Sequence, residues 1–153
     1  MTDAAFQSKV KEAKIVVLEK GEAQKKQEEL WKKVFQYWNH YFEQDFESVY
    51  PMYAQQYQEE VELAEFLKKK RFVVDDFEIQ SATFWGDHCV QIRFRIDVSS
   101  ESMVFSKLSL KHVWVYQNNE WRIYDNPFKA NHMVAPKADP NAPCVFPADK
   151  SKD

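Results

Sequence analysis

The sequence from Val73 to Asp125, VVDDFEIQSATFWGDHCVQIRFRIDVSSESMVFSKLSLKHVWVYQNNEWRIYD, decides the fold. Its clearest part is VQIRFRIDV, in which apolar residues alternate with polar ones without a break. A period of two places one set of side chains in a core and the other in water, so this part is predicted to be a strand. The predicted core-facing residues are Val90, Ile92, Phe94, Ile96 and Val98.

The segments on both sides of this strand repeat the alternation. Gly86-Asp87 and Asn118-Asn119 fit two-residue turns, because Gly and Asn tolerate the positive φ that such turns need. The sequence therefore predicts four antiparallel strands in chain order with one apolar face. The other residues predicted on that inner face are Phe77, Ile79, Ser81, Thr83, Trp85, Val104, Ser106, Leu108, Leu110, His112, Trp114, Tyr116, Trp121, Ile123 and Asp125.

The turns also predict a register. The first would place Trp85 opposite His88, and the second would place His112 opposite Asp125. Both pairings put the apolar residues of neighbouring strands on the same face of the sheet. A slip of one residue would turn the apolar residues of one strand to the other face. The middle turn is longer. If Val90 lies opposite His112, a polar row crosses the inner face, made of Thr83, Val90, His112 and Asp125.

Helices are predicted before the sheet. Glu28 to Glu43 carries an aromatic stripe at helical spacing, which suits a helix lying across the inner face. Two shorter helices follow, one interrupted near Pro51 and one from Glu59 to Lys70. The basic run after the second, Lys68 to Arg71, has two interpretations: favourable charge at a helix C-terminus, or a site for an anion or an acidic partner. The residues of the stripe are Trp31, Val34, Phe35, Trp38, Tyr41 and Phe42.

Three regions are predicted along the chain. Residues 1–27 form a helical N-terminal extension, which either rests on the domain or binds a partner. Residues 28–127 form the α+β domain, with helices packed on the concave face of a curved antiparallel meander. Residues 128–153 form an extended tail that holds five of the six prolines if Pro127 is counted at its boundary.

Composition excludes several classes of function. The chain has 153 residues, enough for one domain with a sizeable core, and only 2 glycines, too few for a phosphate-binding glycine loop. A net charge of −3 argues against nucleic-acid binding. There is no apolar run long enough for a transmembrane segment and no visible signal peptide, so we expect a soluble protein. Its cellular compartment is not predicted. Cys89 and Cys144 lack metal-binding spacing. A disulfide between them is one alternative, which the sequence neither supports nor excludes.

Three motifs resemble the nuclear transport factor 2-like superfamily, whose members form a cone-shaped α+β barrel. They are WKKVFQYWNHYFEQDFESVYPMY, the hairpin FWGDHCVQIRFRI and the closing HVWVYQNNEWRIYDNP. The resemblance covers about Glu28 to Pro127 and identifies no subfamily. The superfamily includes isomerases, dehydratases and cyclases, and also members that only bind ligands, dimerise or assist assemblies, so fold does not decide function.

The resemblance implies that chemistry would lie on the inner face at the mouth of the cone. His112, Asp125 and His88 are the candidate catalytic residues, because a carboxylate beside an imidazole can make it a general base. A structural His–Asp hydrogen bond is the alternative. The candidate ligand-binding residues, for a small apolar ligand, are Trp85, Trp114, Tyr41 and Tyr116. No cofactor or metal is expected, since no third metal ligand has a clear spacing.

The outer face of the predicted sheet is locally basic although the chain is acidic. It is either an ordinary solvated surface or an interface, since members of the superfamily often dimerise through the outer sheet. The candidate interface residues are Arg93, Arg95, Lys107, Lys111, Arg122, Val113 and Val115. We therefore expect a non-catalytic binding or assembly module that pairs with itself or a protein partner through this face and the termini. The alternative is a small-ligand isomerase, dehydratase or cyclase using the inner His–Asp pair.

Overall fold

The computed structural model describes residues 1–124, and its centre is a five-stranded sheet in the order β1-β2-β3-β4-β5. The strands are β1 (Lys14–Glu19), β2 (Val73–Trp85), β3 (Cys89–Ser99), β4 (Val104–Gln117) and β5 (Glu120–Ile123). The last four form the antiparallel meander that the alternation predicts, and β1 adds a parallel edge strand. The predicted α+β class, with helices over one face of the sheet, is confirmed.

The central strand β3 is the one the sequence describes best. All five of its predicted inner residues are at most 3% exposed. Its pairing with β4, however, places Ile92 opposite His112 and Val90 opposite Trp114. The predicted pairing of Val90 with His112 is therefore wrong. The register depends on the long turn between β3 and β4, whose residues carry no turn signal that fixes it.

The hairpin between β2 and β3 differs from prediction by one residue. Trp85 pairs with Cys89, so the turn has three residues, and Gly86 adopts φ 68° in it. A register shift between Ile79 and Ser81 restores the predicted pairing farther down the strand, where Ile79 lies opposite Phe94. Between the turn and this register shift, the side chains of β2 that face the core are the ones predicted to face outward. Ala82 and Phe84 point into the core there, and the prediction of Ser81, Thr83 and Trp85 as inner residues is wrong.

The hairpin between β4 and β5 forms as predicted. Asn118 and Asn119 have φ values of 53° and 62°, and Trp114 pairs with Ile123. Asp125, the residue predicted opposite His112, lies outside the described residues.

The first half of β4 turns a different set of side chains to the core than the sequence predicts: Phe105 packs against it, opposite the buried Val98. Val104 is 74% exposed and Ser106 is exposed as well, so these two predicted inner positions are wrong. Leu108 pairs with the buried Ile96 and shares its face as predicted, but it is 39% exposed. The cause of the difference is a register shift opposite Asp97, where Lys107 adopts φ 57° and its backbone N–H donates to Asp97 Oδ1 at 2.9 Å. The shift of register exchanges the two faces of β4 at this point, and from Leu108 onward, through the buried Leu110, the strand follows the predicted alternation.

The N-terminal segment is not wholly helical, so that prediction is wrong. Helix α1 (Asp3–Glu12) ends at Ala13, and the run Ile15-Val16-Val17-Leu18 becomes β1, consistent with its β-branched residues. A short helix, α2 (Glu22–Lys25), follows. Phe6 of α1 is fully buried, with its ring centroid 6.4 Å from that of Trp31. The segment thus contributes to the same core as the rest of the chain.

Helix α3 (Gln27–Phe42) lies across the sheet as its aromatic stripe predicts. Next come α4 (Phe46–Val49), a 3₁₀ turn (Tyr50–Met52), α5 (Gln55–Glu60) and α6 (Leu63–Lys68). The break at Pro51 is confirmed. The helix predicted from Glu59 to Lys70 is instead two helices separated at Val61, whose carbonyl oxygen accepts a hydrogen bond from the Tyr50 hydroxyl.

The two glycines of the chain meet where β1 leads into α2. Gly86 N–H donates to the Glu19 carbonyl at 2.9 Å, and its own carbonyl accepts from Ala23 N–H at 3.2 Å. Gly21 lies so close that a Cβ added to it would be 2.3 Å from the Gly86 carbonyl oxygen. Only glycine allows this approach of two backbone segments.

We expect Gly21→Ala to lower the free energy of unfolding by about 1–3 kcal/mol, the usual effect of overpacking a site that cannot relax. Urea denaturation followed by circular dichroism measures the change. Lys20→Ala, at the exposed neighbouring position, is the matched control and should be within about 0.5 kcal/mol of the parent. Equal stability of the two variants would contradict the proposed backbone contact.

Candidate functional site

His112, the first candidate catalytic residue, lies within a cluster of rings. It is 0% exposed. Its ring centroid is 5.0 Å from those of Tyr37 and Phe94, and the Trp38 ring stacks on it at 6.0 Å with an interplanar angle of 7°. The rings of Trp38 and Trp114 are themselves fully buried. The imidazole is therefore buried among packed rings.

His88, the second candidate, is on the surface. It is exposed in the turn before β3, where its carbonyl oxygen accepts from Tyr116 N–H at 2.7 Å. Ile92, the partner of His112, is four residues farther along the strand, or about 13 Å at ~3.3 Å per residue. The structure thus places the two histidines apart, and Asp125, the predicted partner of His112, lies outside the described residues.

The four candidate ligand-binding aromatics are also separated. Trp114 is in the core, and Trp85 is half-buried next to β1. Tyr116 and His88 line an open polar depression of about 830 Å³. Tyr41 lines a different and smaller pocket at the other end of the sheet, described below.

The candidate interface residues share the outer face but differ in accessibility. Arg95 is exposed and lies opposite Glu78, as the register predicts. Lys107 makes an ion pair with the same Glu78. Val115 is fully buried, and Arg122 donates to the Pro51 carbonyl at 3.1 Å. The remaining three, Arg93, Lys111 and Val113, are half-buried.

Cys89 is also fully buried and is disulfide-bonded. The other cysteine of the chain, Cys144, lies outside the described residues.

The smaller pocket has a volume of about 240 Å³ and is built by three elements. Helix α3 ends beside it because Gln44 turns the chain with φ 59°, and Asp45 then caps α4 through its bond from Ser48 N–H. The end of α6 forms the second wall and the start of β2 the third. Its lining residues are Tyr41, Phe42, Gln44, Phe46, Leu67, Lys69, Arg71, Phe72, Val73 and Val74.

Arg71 is the central charged group of this pocket. Its guanidinium carbon lies 4.3 Å from the ring centroids of both Phe46 and Phe66, so the cation is held between two rings. Nη1 donates to the Lys69 carbonyl and Nη2 to the Phe66 carbonyl, at 3.0 and 2.9 Å. These bonds satisfy the C-terminal end of α6. Among residues 1–124, no carboxylate forms an ion pair with Arg71.

The tyrosines behind Arg71 are strongly perturbed. Burial raises the pKa of Tyr41 to about 12, and the Arg71 charge opposes this shift. Burial also raises the pKa of Tyr37 and of Tyr53, again against the field of Arg71. The guanidinium therefore acts electrostatically on three buried hydroxyls, which remain protonated at neutral pH.

Outside the pocket, the end of the sheet is apolar and exposed. Val73, Ser99 and Val104 form one row across β2, β3 and β4, on the face opposite the core. Five large apolar side chains here are 42–74% exposed. We call this surface the apolar end; its residues are Leu67, Phe72, Val73, Met103 and Val104.

The motifs of the sequence did not identify this site. They did mark the run from Lys68 to Arg71 as cationic, with an anion site as one interpretation. The signal that could have located the pocket is the adjacency of this run to Phe72 and Val73, two apolar residues that precede the alternating part of β2.

No family model, curated protein or solved structure was found to match this chain. None of the helices of residues 1–124 has the length and apolar character needed to cross a membrane. In the same part of the chain, no cluster of three or more His, Cys, Asp or Glu residues is arranged to hold a metal ion.

The buried Tyr41 hydroxyl makes stability depend on pH in the alkaline range. Its pKa is about 12 in the folded chain against 10.0 ordinarily, so the unfolded chain loses this proton first. The contribution to stability is complete below pH 10 and is lost as the pH rises toward 12, by about 3 kcal/mol in total.

Urea midpoints measured at several pH values should therefore fall above pH 10, and the fall should be shallower in Tyr41→Phe, which has no proton to lose. Identical slopes in the parent and in Tyr41→Phe would contradict the raised pKa.

Proposed function

We propose that this chain is a non-catalytic binding module that docks a protein partner through its apolar end. The α+β arrangement, with α3 across a meander, agrees with the proposed resemblance to the nuclear transport factor 2-like superfamily. That superfamily includes members that only bind or assemble, so the choice rests on the site and not on the fold.

The observation that carries the proposal is the contrast between interior and surface. The interior around His112 is filled by rings, whereas the apolar end exposes five large apolar side chains, with Val104 at 74%. Isolated exposed apolar residues are ordinary, but a group of them at one place favours an interaction surface.

The enzyme alternative would need a reachable general base. His112 is the inner-face histidine, and the rings of Tyr37, Trp38 and Phe94 surround it. A substrate would have to displace at least one of them. Losing the packing of a buried aromatic ring costs about 3–5 kcal/mol, which is a large fraction of the stability of a domain this size. The geometry therefore favours binding over catalysis.

The apolar end also refines the earlier expectation of an outer-sheet interface. Its row of Val73 and Val104 lies on the outer face, so the proposed interface includes one end of that face. At the other end, Val115 is buried and Arg122 is bonded to the Pro51 carbonyl, which makes that end less available to a partner.

Site-specific photo-crosslinking tests this function. We expect a benzoylphenylalanine placed at Val104, in the chain expressed in its natural cells, to give a discrete crosslinked product. The same probe at Gln80, which is exposed on the polar part of β2, should give none. A product of twice the chain mass would identify a second copy as the partner, and sedimentation velocity would then show a dimer that Val104→Lys dissociates.

A second variant separates binding from catalysis. His112→Phe replaces one ring by another in a cluster of rings, and the crosslink at position 104 should persist in this background if the module only binds. Absence of a product at position 104, or an activity that disappears with His112, would overturn the proposal.

A further inference from the structure

The pocket beside the apolar end combines a cavity, a charge and an apolar rim. Its volume of about 240 Å³ is below the ~300–1,000 Å³ typical of sites for whole small molecules. A cavity of this size suits a single large side chain of a partner, the usual anchor of a protein–protein contact.

The charge in the pocket is of one sign. Lys69 and Arg71 line it, and the basic run from Lys68 to Arg71 continues on the surface beside it. No carboxylate of residues 1–124 forms an ion pair with any of these four cations. This contrasts with Lys9, Lys33 and Lys107, each of which has a carboxylate partner.

Arg71 is also held in place for binding. Its two hydrogen bonds to the carbonyls of Phe66 and Lys69 use two of the five N–H donors of a guanidinium. The stacking between Phe46 and Phe66 fixes the plane of the group. Binding of a carboxylate to the remaining donors would cost little side-chain entropy of the protein, because the guanidinium is already ordered.

From these features we infer that the pocket binds an acidic, apolar peptide segment of the partner, with an apolar side chain in the cavity and a neighbouring carboxylate on Arg71. The exposed rings and methyl groups of Leu67, Phe72 and Val73 at the rim supply the apolar contact. The inference deepens the proposed binding function and rests on it.

The test uses the whole chain and two capped peptides of eight residues. One alternates leucine with glutamate, and the other alternates leucine with glutamine. In ¹⁵N NMR titrations the acidic peptide should give saturable shifts of the backbone amides of Leu67, Phe72 and Val73. The glutamine peptide should bind at least tenfold more weakly, because it cannot neutralise the guanidinium.

Matched variants assign the effect to Arg71. Arg71→Met should weaken the acidic peptide at least tenfold, whereas Lys70→Met, which removes an exposed cation of the same run that does not line the pocket, should change it less than threefold. Arg71→Met also removes the bonds that cap α6 and could affect folding. Val73→Glu, at an exposed position of the rim, is the second variant: its own carboxylate should compete with the peptide and lower its affinity.

Equal binding of the two peptides, no saturable shifts, or shifts confined to other residues would overturn the inference. So would laurate binding in place of the acidic peptide, since it would identify the site as one for a fatty acid. These results are distinguishable from failure of the proposed function, because the crosslink at Val104 reports a partner at the apolar end whether or not the pocket selects an acidic segment.

Discussion

The packing of the Trp38 ring against the sheet is the interaction on which the rest of the structure depends. Its ring stacks on Phe77 at 4.6 Å, meets Phe94 edge-on at 5.3 Å and covers His112. It thereby joins α3 to three consecutive strands. Buried rings contribute most of the apolar area in a core of this kind, and tilted or edge-on pairs add further stability. These rings fill the space between α3 and the sheet in the described part of the chain.

The irregularities of the strands determine what remains exposed. The shift near Lys107 exchanges the faces of the first half of β4, so Val104 points to solvent although the strand is continuous. The short β5 pairs only with the last part of β4, from Trp114 to Gln117, and leaves that first half without a neighbour on this side among residues 1–124. An edge of this kind, with apolar side chains beside it, is what a protein avoids unless something covers it.

The sequence predicted most of the fold because the signals were local. Alternation located β3, and the pair Asn118-Asn119 gave the closing hairpin. The same rules fail near Ser81, where one extra residue in a bulge exchanges the two faces of the strand. Periodicity alone does not show where a strand is interrupted in this way. The apolar run from Ile15 to Leu18 fits a helical pattern locally. Its partner strand is more than sixty residues away, and only tertiary pairing selects the strand.

The candidate site was less predictable for a related reason. Tyr41 belongs to the helix stripe and Arg71 to a basic run, and each has a sufficient structural explanation in its own segment. Only folding brings α3, α6 and β2 together around one cavity and shows that the guanidinium, held by two rings, lacks a carboxylate among the described residues. The carbonyls by themselves do not call for a cation, because neutral donors could also cap them, whereas the two rings favour a positive charge there. An ordered cation in a cavity, with no carboxylate paired to it among the described residues, argues for an anionic partner more strongly than the charge run by itself.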